Sequence, residues 1–176
     1  GGFLATLSLP VIWMSLYDYQ NQRILTLFNP EADIYGAGWN IVQSKIAVGS
    51  GGLFGKGFLN GSQSQLNFIP ESHSDFIFSV IAEEFGLLGI SILFFIYGIL
   101  IYRLLMVSFY SSNKFAKIVS GTLSIILLAY ISINISMVIG LLPVVGMPLP
   151  FLSQGGTALV VNLLTIGIIL SLRKEV

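Results

Sequence analysis

Apolar residues run along this chain in long stretches rather than in short amphipathic ones. Residues 76–102 are apolar throughout most of their length and carry only Glu83 and Glu84 as acids. Residues 118–142 contain serines and an asparagine but no charge, and residues 155–172 are apolar up to Arg173. A helix needs about 20 mostly apolar residues to cross a bilayer, which the first two stretches exceed and the third narrowly meets. The alternation of a barrel strand is absent, so helices are expected. A fourth stretch, residues 3–17, contains Pro10 and begins with neither methionine nor a basic n-region. It does not resemble a signal peptide, and it reads as a spanning helix whose first part is missing, in a chain that is a fragment.

This pattern predicts an all-α polytopic membrane protein with about four transmembrane helices. The expected division is a truncated transmembrane helix over 1–17 and an extracytoplasmic loop over 18–74, then a transmembrane helix over 75–103. A cytoplasmic loop over 104–117, a helix over 118–142, an extracytoplasmic loop over 143–154, a helix over 155–172 and a cytoplasmic tail over 173–176 complete it. Within the large loop, residues 23–27 and 39–48 carry apolar positions at helical spacing (Trp39, Val42, Ile46), which suits short interfacial helices.

Composition agrees with the pattern. The 176 residues include 8 basic and 8 acidic ones, 9% charged in all, against about 25% in soluble domains. With 55% hydrophobic residues there is too little polar surface for a water-soluble globule, and disorder is excluded. A net charge of zero removes the basic surface of a nucleic-acid binder, and no cysteine means no disulfide framework. Arg103, Lys114, Lys117, Arg173 and Lys174 fall on one side if the spans alternate, and that side is the cytoplasmic one by the positive-inside rule. Arg23, Lys45 and Lys56 fall on the other, with Asp18, Glu31, Asp33, Glu71 and Asp75.

Residues 49–61 hold six glycines around Lys56. The nucleotide P-loop pattern fails, because Ser50 stands at its first glycine and Gly57 follows the lysine. Two readings stay open: main-chain N–H groups and Lys56 holding a phosphate of a lipid-linked substrate, or a glycine loop with a solvated lysine. Residues 70–78 gather Glu71, the single histidine His73, Ser74 and Asp75 at the mouth of a span. Ser72 and Asp75 have the spacing of a helix capping box, so capping competes with chemistry there. One histidine among scattered carboxylates makes no zinc spacing. Glu83 shifts the balance, since an ionisable residue within a span is costly and marks function by default. Asp75, Ser79, Ala82, Glu83, Gly86 and Gly89 project onto one helix face, with Glu84 on another. A buried network that fixes helix packing is the alternative for Glu83. Ser124, Ser132, Asn134 and Ser136 are expected to bond between helices, and residues 148–157 to form a rigid turn into a helix.

Residues 19–23, 28–33 and above all 49–89, with GSGGLFGKG and GSQSQLNFIPESHSDFIFSVIAEEFGLLG, resemble the SEDS family of polytopic membrane glycosyltransferases, and its RodA-like branch more than the FtsW-like one. The resemblance covers nearly the whole chain and matches the last four spans of the family. Ser72 stands where arginine is usual, Ser74 where threonine is, and Gln154 where tyrosine is.

The resemblance implies polymerisation of lipid II into peptidoglycan glycan strands on the outer face of the bacterial cytoplasmic (inner) membrane, during cell elongation. Asp75 matches the family's essential acid, as general base for the acceptor hydroxyl or as the holder of a divalent cation. Lys56, Glu71, His73, Ser74 and Glu83 are assigned to substrate binding, Lys56 with the glycine loop opposite the leaving pyrophosphate. No cofactor and no metal ligand set is assigned. The implied partners are lipid II and the growing glycan strand, a class B penicillin-binding protein and other elongation-machinery membrane proteins, and membrane lipid, with no nucleic acid. A fragment of this extent is expected to be inactive alone. A lipid II flippase and a non-catalytic scaffold remain rival readings.

Overall fold

The computed structural model describes residues 17–29, 36–65 and 73–173. The expected first span, residues 1–17, lies outside the described residues except for Tyr17, as does Glu71. Among the described residues every regular element is a helix: α1 (Asp18–Phe28), α2 (Ala37–Ser50), the single turn α3 (Ser62–Gln65), α4 (Ile77–Tyr110), α5 (Lys114–Val138) and α6 (Gly156–Leu172).

Helices α4 and α5 are long and apolar enough to cross a membrane, and α6 is shorter and equally apolar. α4 and α5 form a hairpin, α6 packs on both, and α2 lies against α4. Tyr97, Ile101, Leu104 and Val107 of α4 meet Leu127, Ile131 and Met137 of α5 and Ile169 of α6 in one core. Tyr97 is buried there and donates its hydroxyl to the Pro150 carbonyl (2.6 Å), which removes the cost of an unpaired buried group.

Three expectations about boundaries and packing are corrected. The segment 104–117 is helical except at residues 111–113, because a helix leaving the bilayer has no reason to stop there. Asn113 restarts it, its side chain accepting from the Phe115 N–H (2.9 Å). α5 closes at Val138, four residues short of the apolar run, where Ile139 and Gly140 (φ 73) turn the chain. Ser124 bonds the Ser120 carbonyl of its own helix (2.6 Å) rather than a neighbour.

The basic residues separate by end. Arg103 and Arg173 line one small cavity between α4 and α6, with Lys114 opening α5 nearby in the hairpin. Arg23, Lys45, Lys56 and Asp75 all bear on the loops at the other end, as the contacts below show.

Candidate functional site

Asp75 stands in the turn 73–76, ahead of the first residue of α4. Phe76 caps the helix without a side-chain bond, and the first turn holds no acid. Ser72, the other half of the expected capping box, lies outside the described residues. Two ties fix the Asp75 turn. Asn134, fully buried on α5, donates through Nδ2 to the Asp75 carbonyl (2.8 Å) and to the Met147 carbonyl (2.6 Å). The Gln154 N–H donates to the His73 carbonyl (2.9 Å). The Asp75 carboxylate itself lies against Gly146, where an added Cβ would sit 3.3 Å from Oδ2. His73 is exposed and Ser74 half-buried in the same turn.

Two cations to which the sequence reading gave no role border this corner. Arg23 of α1 donates through Nη1 to the Val144 carbonyl (2.8 Å). The Lys45 side chain of α2 runs over Gly140, leaving no room for a Cβ there. Ser44, one residue earlier, bonds the Val138 carbonyl (2.8 Å). The outer helices α1 and α2 are thus pinned to the loop that faces Asp75.

Glu83, also fully buried, belongs to a second cluster two helical turns further along. Lys56 Nζ reaches its Oε1 (2.7 Å), and the Ser62 hydroxyl donates to the same oxygen (3.1 Å). The Gln63 N–H spans both carboxylate oxygens (3.1 and 3.2 Å). Lys56 also bonds Ser62 (2.9 Å). The structure so brings Lys56 and Glu83 together as an ion pair, the packing network that the sequence left open. Glu84, expected in a different environment, is buried as well.

The main chain explains why. α4 is broken at Gly86 (φ 63, ψ −157). In an unbroken helix the N–H groups of Leu87 and Leu88 would bond the carbonyls of Glu83 and Glu84. Instead Leu87 and Leu88 donate to Gly52 and Leu53 (2.9 and 3.1 Å), while Lys56 and Gly57 donate to Glu83 and Glu84 (both 3.0 Å). The contact is backbone on backbone: a Cβ on Gly51 would strike the Ala82 carbonyl, one on Gly55 the Glu84 carbonyl, and one on Gly86 the Gly55 nitrogen. This corrects the phosphate cradle, because the N–H groups of Gly55, Lys56 and Gly57 are all used within the chain.

Sequence reasoning missed three residues here. Asn134 had been placed between helices in general, and its 59-residue separation from Asp75 carries no sequence signal. Gly146 and the Gly86 break were readable only as glycines in a turn and in a span. Among the described residues no group of three or more His, Asp or Glu side chains comes together.

Residues 2–176 match the family of cell cycle proteins that groups FtsW, RodA and SpoVE. The chain is 51% identical over 168 residues to the peptidoglycan glycosyltransferase MrdB of Escherichia coli K12, which covers 95% of the chain and 45% of that protein. It is 39% identical over 161 residues to the peptidoglycan glycosyltransferase RodA of Treponema pallidum, covering 91% of the chain and 37% of that protein. The probable FtsW of Trichlorobacter lovleyi is 38% identical over 154 residues, 88% of the chain and 40% of that protein. The chain therefore spans about half the length, or less, of the curated relatives it matches. A solved chain, from work on the structural coordination of polymerization and crosslinking by a peptidoglycan synthase complex, superposes with a TM-score of 0.77 at 27% identity over 98% of this chain and 47% of that one.

Proposed function

The chain belongs to the FtsW/RodA/SpoVE family of cell cycle proteins, and from that premise we propose that it is part of a peptidoglycan glycosyltransferase that polymerises lipid II during cell elongation. The observation that carries this reading is the placement of Asp75. Its carboxylate is half-buried against Gly146, and its turn is held from α5 by Asn134.

The carboxylate acts as general base. It takes the proton of the acceptor sugar's 4-hydroxyl as that oxygen attacks the anomeric carbon of the donor. The bond from that carbon to the pyrophosphate breaks, and the lipid pyrophosphate departs. His73 and Ser74 share the turn and contact the sugars. Developing charge on the leaving group needs a cation. Lys56 is held by Glu83, so Arg23 and Lys45 along the 139–147 loop take that task. Glu83 acts as a structural partner for Lys56. No step is routed through a metal.

The loops around Asp75 lie on the extracytoplasmic face of the inner membrane, and Arg103, Lys114 and Arg173 lie at the cytoplasmic face, in keeping with the positive-inside rule. A class B penicillin-binding protein is the proposed partner, a reading supported by the peptidoglycan synthase complex of the structural neighbour. Transport of lipid II is less well supported, because both oxygens of Glu83, the acid a path would use, are already bonded.

The test is Asp75→Asn in the intact purified protein with lipid II. General-base loss predicts a fall of at least about 100-fold in polymer, with the melting temperature and partner co-purification unchanged. Full activity of that variant overturns the assignment.

A further inference from the structure

We propose that the glycine-rich loop, residues 51–61, is an interfacial anchor whose apolar tip sits among lipid headgroups and the adjoining acyl chains. The level of the loop follows from α4. Counted from Arg103 at the cytoplasmic face, residues 87–103 rise about 25 Å at about 1.5 Å per residue, most of a hydrocarbon core of about 30 Å. Leu87 therefore stands within about 5 Å of the outer edge of that core. The loop is bonded to this edge, since Leu87 and Leu88 donate to the carbonyls of Gly52 and Leu53.

At that level the loop presents Leu53 (63% exposed), Phe54 (78%), Phe58 (69%) and Leu59 (60%), beside exposed Leu87 and Leu88. Single exposed apolar residues are ordinary, but a contiguous group marks a surface that meets something apolar. The Phe58 ring lies 6.1 Å from that of Phe85, which joins the loop's patch to the surface of the span.

Two details select lipid. Lys56 is the single charged residue of the loop, and it turns inward onto Glu83, so the tip offers no unpaired charge to an acidic protein surface. Leu59 holds a left-handed backbone (φ 62), a strained conformation for a leucine. In water an exposed leucine gains nothing from that strain, whereas at a lipid boundary its side chain is solvated by acyl chains. Because the loop grips the broken helix through four main-chain bonds, its seat also sets the height of residues 77–85, and of the Asp75 turn, over the bilayer.

The chain has no cysteine, so site-directed spin labelling needs only that any cysteine elsewhere in the intact protein be replaced by serine first. Nitroxides at Phe54→Cys and Phe58→Cys would be read by power saturation in the intact protein. The vesicles would contain phosphatidylethanolamine and phosphatidylglycerol, and the relaxants would be oxygen and a water-soluble nickel chelate. The anchor predicts collision with oxygen several-fold above that with nickel at both sites, and Leu53→Cys repeats the measurement should either variant fail to reconstitute. Nickel collisions above oxygen would place the loop in water and overturn the proposal. Low collision with both would mean that protein covers the tip, and would overturn it equally.

Discussion

Breaking the Lys56–Glu83 pair tests whether the loop and the broken helix hold each other. At 2.7 Å two unit charges attract by about 6 kcal/mol at an effective dielectric constant of about 20. Desolvation of a fully buried carboxylate offsets much of this. The useful quantity is the cost of removing one partner, about 3–5 kcal/mol for a buried pair. Lys56→Met belongs at the lower end, about 3 kcal/mol, because the lysine side chain is 30% exposed and Glu83 keeps the Ser62 and Gln63 donors. Glu83→Gln leaves a neutral isostere and a lysine that can turn to water, so it costs about 1–2 kcal/mol. The double variant should fall short of the sum by about 1–2 kcal/mol, the coupling expected of groups in direct contact. The assay is thermal unfolding of the intact protein in detergent at one scan rate, with Lys56→Met lowering the midpoint by about 6 °C. Strict additivity of the two single variants, or an unchanged midpoint in Lys56→Met, would refute the reasoning.

Gly55→Ala should be worse than either, because its Cβ meets the Glu84 carbonyl and its φ is +77; a loss of about 3 kcal/mol or more is expected in the same unfolding assay. Asn134→Leu strands the carbonyls of Asp75 and Met147 at about 1 kcal/mol each. It should also lower polymerisation per folded molecule, read as a drop in kcat with KM for lipid II little changed. Tyr97→Phe removes one buried bond to Pro150 and should cost about 1–2 kcal/mol, with activity kept.

The spans were legible because lipid leaves the backbone no partner but its own helix, so apolar length and helix formation coincide. Their ends were not. Residues 104–110 continue α4 past its apolar run because nothing in the sequence there stops a helix, and the stop lies at the Asn113 cap. Asp75 was legible as a residue worth attention, yet the hold of Asn134 on its turn was visible only in the fold. Lys56 and Glu83 are 27 residues apart, a separation that no periodic pattern connects. The glycines announced a loop but not its partner, since main-chain contact writes no side-chain chemistry into the sequence.

The break in α4 gives the two acids their different fates. Leu87 and Leu88 would be left with unpaired N–H groups at the membrane edge, a cost of several kcal/mol each in lipid on the order that unsatisfied backbone carries there. A glycine loop can enter the gap because it has no Cβ to hold it away, and it returns four bonds for the two that the helix forgoes. Glu83 then needs no water or path to lie in, because Lys56 arrives on the same loop. Asp75, ahead of the helix, is reached by none of these loop contacts and is oriented instead through Asn134 and the Met147 turn. One acid holds the break, and the other lies against Gly146 in the turn where the chemistry is proposed.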